Sequence, residues 1–442
     1  MNWFEHIRSW FETAHEISIP PYGRGIHAYP NPKERELFEH SSEAFLANRQ
    51  IDGYDYFLSS LSHTSSSEKL PHLQIEKNDA ELTFRLVQGS AVVVGNVTPE
   101  RFEAYVDITL CDALPVALKR RFLERNFQLT YARFGVKNNV ARLSLRLDNQ
   151  TITPQKIFFP LREIALNADF EKEFIAAEFN ESLLLEYSHM APIDESKAGR
   201  YYTFMQEWVR QTRQSLMGLL SNDNTGMASF SYLTVLLQID YLLMPRKKIA
   251  RDISEKINSY FLEDERLTED KNAELERYLA ELESMSFENF ASQFYASSYT
   301  FSPFDQALHD EIAAFIEESL NKVRWYKYNH AHYVIGVIYR YIALYLLFNY
   351  GLHPSLRSLL HLHVEISCSD FFASEGEMTL YDPITKTFDV RRISERIRDA
   401  IEPFAERYRG LKNFADALNY HDMDHFSQSF YLQIKNLDYT ES

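Results

Sequence analysis

From Leu82 to Leu110 the apolar residues recur at nearly every second position, a period that suits a strand and not a helix. Leu82, Phe84 and Leu86 alternate with Thr83, Arg85 and Val87. "GSAVVVGNV" follows as a more fully apolar strand, with Gly89-Ser90 as the turn. In "RFEAYVDITL", Phe102, Ala104, Val106, Ile108 and Leu110 face one way, and Glu103, Tyr105, Asp107 and Thr109 the other. Such alternation marks an antiparallel sheet buried on one face only.

The period then changes. "ALPVALKRRFLERNF" reads as a helix with Leu114, Leu118 and Phe122 at four-residue spacing, Leu123 beside them, and Lys119, Arg120, Glu124 and Arg125 on the other side. "QLTYARFGV" and "VARLSLRL" return to strand, joined at Asn138-Asn139, since Asn tolerates a positive φ. Thr153 and Pro154 then open a helix as N-cap and first residue, and Pro160 is expected to kink or restart it. Upstream, residues 2–15 read as an amphipathic helix carrying Trp3, Ile7, Trp10 and Phe11. A second helix spans about 33–61, interrupted near Asp52-Gly53, before a polar loop at 62–71.

Beyond residue 190 the pattern is helical, with candidates at 199–220, 229–243, 246–261, 268–283, 305–324, 325–349, 354–368, 390–408 and 422–436. "ASEGEMTLYDPITKTFD" breaks this run and suits a small hairpin. The expected architecture is α+β: an antiparallel sheet with flanking helices in residues 1–190, then a mostly α-helical domain over 191–442.

The formal net charge of −17 argues against a broad nucleic-acid surface, which needs clustered Lys and Arg. Thirteen glycines include no phosphate-binding loop motif, and two distant cysteines, Cys111 and Cys368, offer neither a disulfide framework nor a zinc ribbon. The first residues carry charges every few positions and lack a signal-peptide core, so a cytoplasmic location is expected. "YVIGVIYRYIALYLLFNY" is apolar enough to suggest a membrane span, but Arg340 lies at its middle. It reads as a core helix whose Arg340 reaches a carboxylate or backbone carbonyls, without membrane insertion.

The meander "ELTFRLVQGSAVVVGNVTPERFEAYVDITL", the helix "ALKRRFLERN", the strand pair "YARFGVKNNVARLSLRLD" and the closing helix with "IALNADFEKEF" form an order over about 33–179 that resembles the class I type III secretion chaperones and the related YbjN-like proteins of bacteria. The resemblance implies a module that binds peptides or unfolded segments, often as a homodimer, and brings no catalytic residues. The long helical half departs from that family.

Two constellations invite chemistry. Arg85, Tyr105, Arg142 and Arg146 share the polar side of the strands and suit an acidic peptide, although arginines on a sheet face more often serve solvation. In the second half, His330 and His332, then His361, His363 and Glu365, then His421, Asp422, Asp424 and His425 fall in short clusters. His421 and His425 stand at i, i+4, and with Asp422 they approach metal-ligand spacing. The competing reading places these histidines at helix ends or against aromatic residues, because a metal site needs three or four converging ligands. The leading expectation is a noncatalytic, chaperone-like peptide-binding module without cofactor or bound metal. The alternatives are a metal-dependent hydrolase using His421, Asp422 and His425, and a structural scaffold.

Overall fold

The computed structural model describes residues 20–24, 30–62, 72–186, 189–217, 225–405, 411 and 413–437. The helix expected over 2–15 and nearly all of the loop at 62–71 lie outside them. The fold is α+β, with a six-stranded antiparallel sheet in the N-terminal half and a mostly helical C-terminal part.

Helix α1 (Pro32–Leu46) begins with a reciprocal cap: the Glu34 N–H donates to Asn31 Oδ1 at 2.9 Å, and the Asn31 N–H to Glu34 Oε2 at 2.8 Å. Helix α2 (Gln50–Ser60) packs back against it. The break falls at 47–49, with Asn48 left-handed (φ 57°), and not at Asp52-Gly53. Gly53 lies within α2 because the Phe45 ring occupies the space a Cβ would need, at 2.6 Å.

The strands are β1 (Leu73–Lys77), β2 (Leu82–Gln88), β3 (Ala91–Val97), β4 (Arg101–Leu110), β5 (Arg133–Lys137) and β6 (Val140–Asp148), in the order β1-β2-β3-β4-β6-β5. The sequence reading omitted β1, whose alternation rests on Leu73 and Ile75 alone and which forms an edge. Gly89 (φ 56°) turns β2 into β3, and Asn138 and Asn139 (φ 52° and 64°) turn β5 into β6. The register of β4 against β6 shifts between Asp107 and Thr109. This bulge at Ile108 reverses the last part of the expected alternation: Thr109 is buried and Leu110 exposed.

One face of the sheet is covered by α2, by α3 (Val116–Gln128) and by α4 (Pro154–Ile175). On α3, Leu118 and Phe122 point inward, and Phe122 stacks on Phe134 of β5 with ring centroids 4.5 Å apart. Leu123, placed beside them in the sequence reading, is exposed. The arginines of α3 also divide. Arg120 is solvated, whereas Arg121 and Arg125 converge on the fully buried Glu171 of α4, at 2.6 and 2.8 Å. Helix α4 continues through Pro160: the residue forfeits one backbone bond near the helix start, and Ile157, Leu161, Ile164 and Ala168 hold the helix on the sheet.

The helical unit has its own core. It contains α5 (Glu195–Met217), α6 (Thr225–Gln238, prolonged by a π-turn at Ile239–Leu243), α7 (Lys247–Phe261), α8 (Thr268–Glu283), α9 (Phe287–Ala291), α10 (His309–Tyr328), α11 (Tyr333–Asn349), α12 (Pro354–Ser367), α13 (Ser369–Ser374), α14 (Val390–Ile401) and α15 (Met423–Lys435). The boundary expected at 324/325 falls at 329–332, where His330 turns left-handed (φ 56°). Helix α14 stops at Ile401, ahead of Pro403, short of the expected 408. Tyr381–Asp382 and Thr387–Phe388 pair as the small hairpin.

Most of α11 is buried, and Arg340 donates to Gln238 Oε1 at 3.0 Å and to the Ser367 carbonyl at 3.1 Å. Among the described residues, the stretch Thr225–Leu243 alone is long and apolar enough to cross a bilayer, and it is largely buried inside the fold.

Two short segments cross between the units. Tyr22 inserts into the helical core, while the Gly23 N–H donates to the Tyr241 carbonyl at 2.9 Å and Arg24 pairs with Asp240 at 2.5 Å. In the opposite direction, Phe301 joins the core of the sheet unit, its ring 5.6 Å from that of Phe158. Gln88 of β2 fixes that segment by accepting from the Thr300 and Phe301 N–H groups at 3.0 and 2.8 Å.

Candidate functional site

The polar side chains of the strands form the second face of the sheet, away from α2, α3 and α4. Arg85, Val94, Tyr105, Ser144 and Arg133 lie in one row across five strands. The neighbouring rows pair Asp107 with Arg142 and Glu103 with Arg146. The four residues expected at a peptide site, Arg85, Tyr105, Arg142 and Arg146, therefore share one surface.

Their surroundings differ. Arg142 Nε donates to Asp107 Oδ1 at 2.7 Å, and its guanidinium lies 3.9 Å over the Tyr105 ring. Both partners of the ion pair are largely covered. Arg142 thus fixes the Tyr105 ring and spends its charge locally. Arg85 is half-exposed and reaches Glu186 at 3.6 Å. Arg146 is mostly exposed and stands 3.7 Å from Glu103, which Arg101 also approaches at 3.5 Å. These contacts lie beyond good hydrogen-bond length, so Arg85 and Arg146 retain donors for a ligand. A shallow cavity of ≈ 390 Å³, lined by Thr98, Glu100, Arg101, Arg146, Leu147 and Asp148, continues the surface at one end.

Lys172 of α4 is fully buried and donates to the Leu185 carbonyl at 2.8 Å. Burial lowers its pKa to about 8, against the opposing pull of Glu186, Asp169 and Asp107. It anchors the segment that brings Glu186 to Arg85, a role that nothing in "FEKEF" announces. Asp107 was visible as the polar neighbour of Tyr105, but its pairing with Arg142 requires the strand register.

The histidines of the helical half occupy different settings. His361 bridges the Tyr241 hydroxyl (2.9 Å at Nδ1) and Glu365 (3.0 Å at Nε2), and Arg396 closes the chain on Glu365 at 2.9 Å. Tyr22 stacks on His361 at 5.2 Å. His363 contacts the Ser427 and Tyr431 hydroxyls at 3.0 and 3.2 Å, and burial lowers its pKa to about 3. It is a neutral core residue. Asp422 is the N-cap of α15: its Oδ1 accepts from the His425 N–H at 2.8 Å and contacts His425 Nδ1 at 2.8 Å. His421 precedes that cap, so the helical i, i+4 face assumed for His421 and His425 does not form, although their rings meet at 5.2 Å. Among the described residues, no three His, Cys, Asp or Glu side chains form a group suited to hold a metal ion. Burial raises the Cys368 pKa, which keeps the thiol protonated.

No protein-family model matches the chain, and no curated protein matches it.

Proposed function

We propose that the protein is a noncatalytic, chaperone-like module that binds an extended polypeptide segment on the open face of its N-terminal sheet. The observation that carries this reading is the placement of Arg85, Tyr105 and Arg146 together on the partly exposed second face of the sheet, with unsaturated guanidinium donors. Tyr and Arg combine large contact area with polar reach, and they dominate binding hot spots. The two available arginines favour an acidic segment. The element order, similar to that of the class I type III secretion chaperones, supports the same reading. Arg142 serves the site by holding the Tyr105 ring.

The test uses the full chain and a panel of labelled unstructured peptides of about 15 residues, enough to cross the face at ~3.3 Å per residue. Acidic peptides should bind, with affinity falling as salt rises. The Arg85→Glu/Arg146→Glu variant should lose at least about tenfold in affinity. Equal binding by wild type and variant, or the absence of binding to any peptide in the panel, removes this reading.

A further inference from the structure

Away from the sheet face, α3 presents an apolar stripe to solvent. Val116, Leu123 and Phe127 are 82%, 66% and 92% exposed. Their spacing, i, i+7 and i+11, puts them on one side of the helix, opposite the buried Leu118 and Phe122. Lys119 and Arg120 flank the stripe in solvent. We propose that this side of α3 is a docking surface for an acidic amphipathic helix of another protein, independent of the peptide face on the sheet.

Charge complementarity identifies the partner. The exposed charges beside the stripe are two bases, Lys119 and Arg120, and one acid, Glu124, 3.6 Å from Arg120, a net positive flank within a protein of net charge −17. Arg121 and Arg125 are engaged by Glu171, which leaves the basic character of the exposed flank to Lys119 and Arg120. A second copy of the chain is disfavoured, because α3 against α3 sets the exposed Lys119 and Arg120 of each copy, offset by Glu124 alone, against like charge.

The neighbouring strand edge selects a helix over an extended segment. Beside α3, the backbone groups that face outward at the start of β5 are already engaged. The Ala132 N–H donates to Glu163 Oε1 at 2.8 Å. The Phe134 N–H donates to Asn126 Oδ1 at 2.7 Å, and the Phe134 carbonyl accepts from Asn126 Nδ2 at 3.0 Å. Within β5 that leaves Val136 alone facing outward, too short a ladder for strand addition. A helix satisfies its own backbone and brings only side chains, which is what the stripe accepts.

The test measures binding of the full chain to a labelled synthetic helix of about 18 residues, long enough to hold helical structure. It carries leucine on one face and glutamate on the other. Controls are the same peptide with lysine in place of glutamate and a version broken by proline. The glutamate helix should bind at least about tenfold more tightly than either control. Leu123→Asp/Phe127→Asp should weaken it at least about tenfold, and Arg120→Glu about fivefold, with the thermal midpoint unmoved because the side chains are exposed. Arg85→Glu/Arg146→Glu should leave this binding intact. Three results overturn the proposal: equal binding of the glutamate and lysine helices; unaltered binding by the Leu123/Phe127 variant; and α3-dependent dimerisation of the chain alone in sedimentation. Binding that appears only after removal of residues 1–19 also overturns it, by making the chain's own N-terminal segment the occupant.

Discussion

The open sheet face and the interior of the helical half both hold polar side chains, under opposite physical conditions. In the interior, His361, Glu365 and His363 are buried and hydrogen-bonded within the protein. On the sheet, Arg85 and Arg146 reach their carboxylates only at 3.6 and 3.7 Å and remain solvated. A saturated buried network contributes stability and a defined packing, and little is left to engage a ligand. A loosely paired exposed set contributes little stability and keeps its binding capacity. Histidine clusters attract attention in a sequence, yet here the less conspicuous arginines have the better claim to function.

The largest test of this contrast lies in the interior. His363→Ala should cost about 3 kcal/mol by denaturant titration, through a cavity and two hydroxyls left without the imidazole. Peptide binding by the folded variant should not change. If the loss is below about 1 kcal/mol, the interior network is not structural in the sense argued.

The two units should also titrate in opposite directions. The folded pKa of His363 lies at about 3, below its ordinary 6.5, so the unfolded chain binds the extra proton between these values. Stability from this residue is present above pH 6.5 and lost toward pH 3, with a slope approaching ~1.4 kcal/mol per unit. On α4, burial raises Asp169 to about 6 and Glu173 to about 8. Arg246 and Lys247 face this pair from the helical unit, as do Lys172 on α4 and the Ser90 N–H and hydroxyl from the β2–β3 turn. For raised carboxyls the stability is present at low pH and lost as pH rises through 6 and then 8. His363→Gln should flatten the acid limb of a stability–pH profile, and Glu173→Gln the alkaline limb. Limbs that survive both substitutions would assign the titration elsewhere.

Within the sheet face, Arg142→Ala should cost about 1–2 kcal/mol, because it removes a largely covered ion pair and the stack on Tyr105. Arg85→Glu/Arg146→Glu should alter stability by no more than about 0.5 kcal/mol while peptide binding is lost. Chemical denaturation of both variants checks the ranking; equal costs would erase the distinction between a positioning and a contacting arginine. The smallest effect is expected at His421→Ala, within about 0.5 kcal/mol, whereas Asp422→Ala should cost about 1 kcal/mol through the lost α15 cap.

Where one interaction dominated, the sequence was legible. The strands from Leu82 to Leu110 follow from alternation, the Asn138-Asn139 turn from its tolerance of positive φ, and the burial of Phe122 with the exposure of Arg120 from helical phase. Legibility ended where a distant partner decided the outcome. Arg121 and Arg125 look as solvated as Arg120 until α4 supplies Glu171, 50 residues from Arg121 in the chain. Thr109 reads as outward until the bulge at Ile108 shifts the register. For the candidate site, the strand period placed Arg85, Tyr105, Arg142 and Arg146 on one face. It carried no information on Asp107, Glu186 or Lys172, whose roles depend on strand pairing and on the path of the chain after α4.

The exchange of Tyr22 and Phe301 between the two units has a consequence for biosynthesis. The sheet unit is otherwise complete once the chain reaches Leu184, yet the aromatic residue that closes its core beside Phe158 lies some 117 residues further along. At about 5–20 residues per second, the ribosome leaves that core unsealed for roughly 6–23 seconds, even before exit-tunnel delay. A nascent chain in this interval exposes the Phe158 side of α4, the surface that cellular chaperones would meet first.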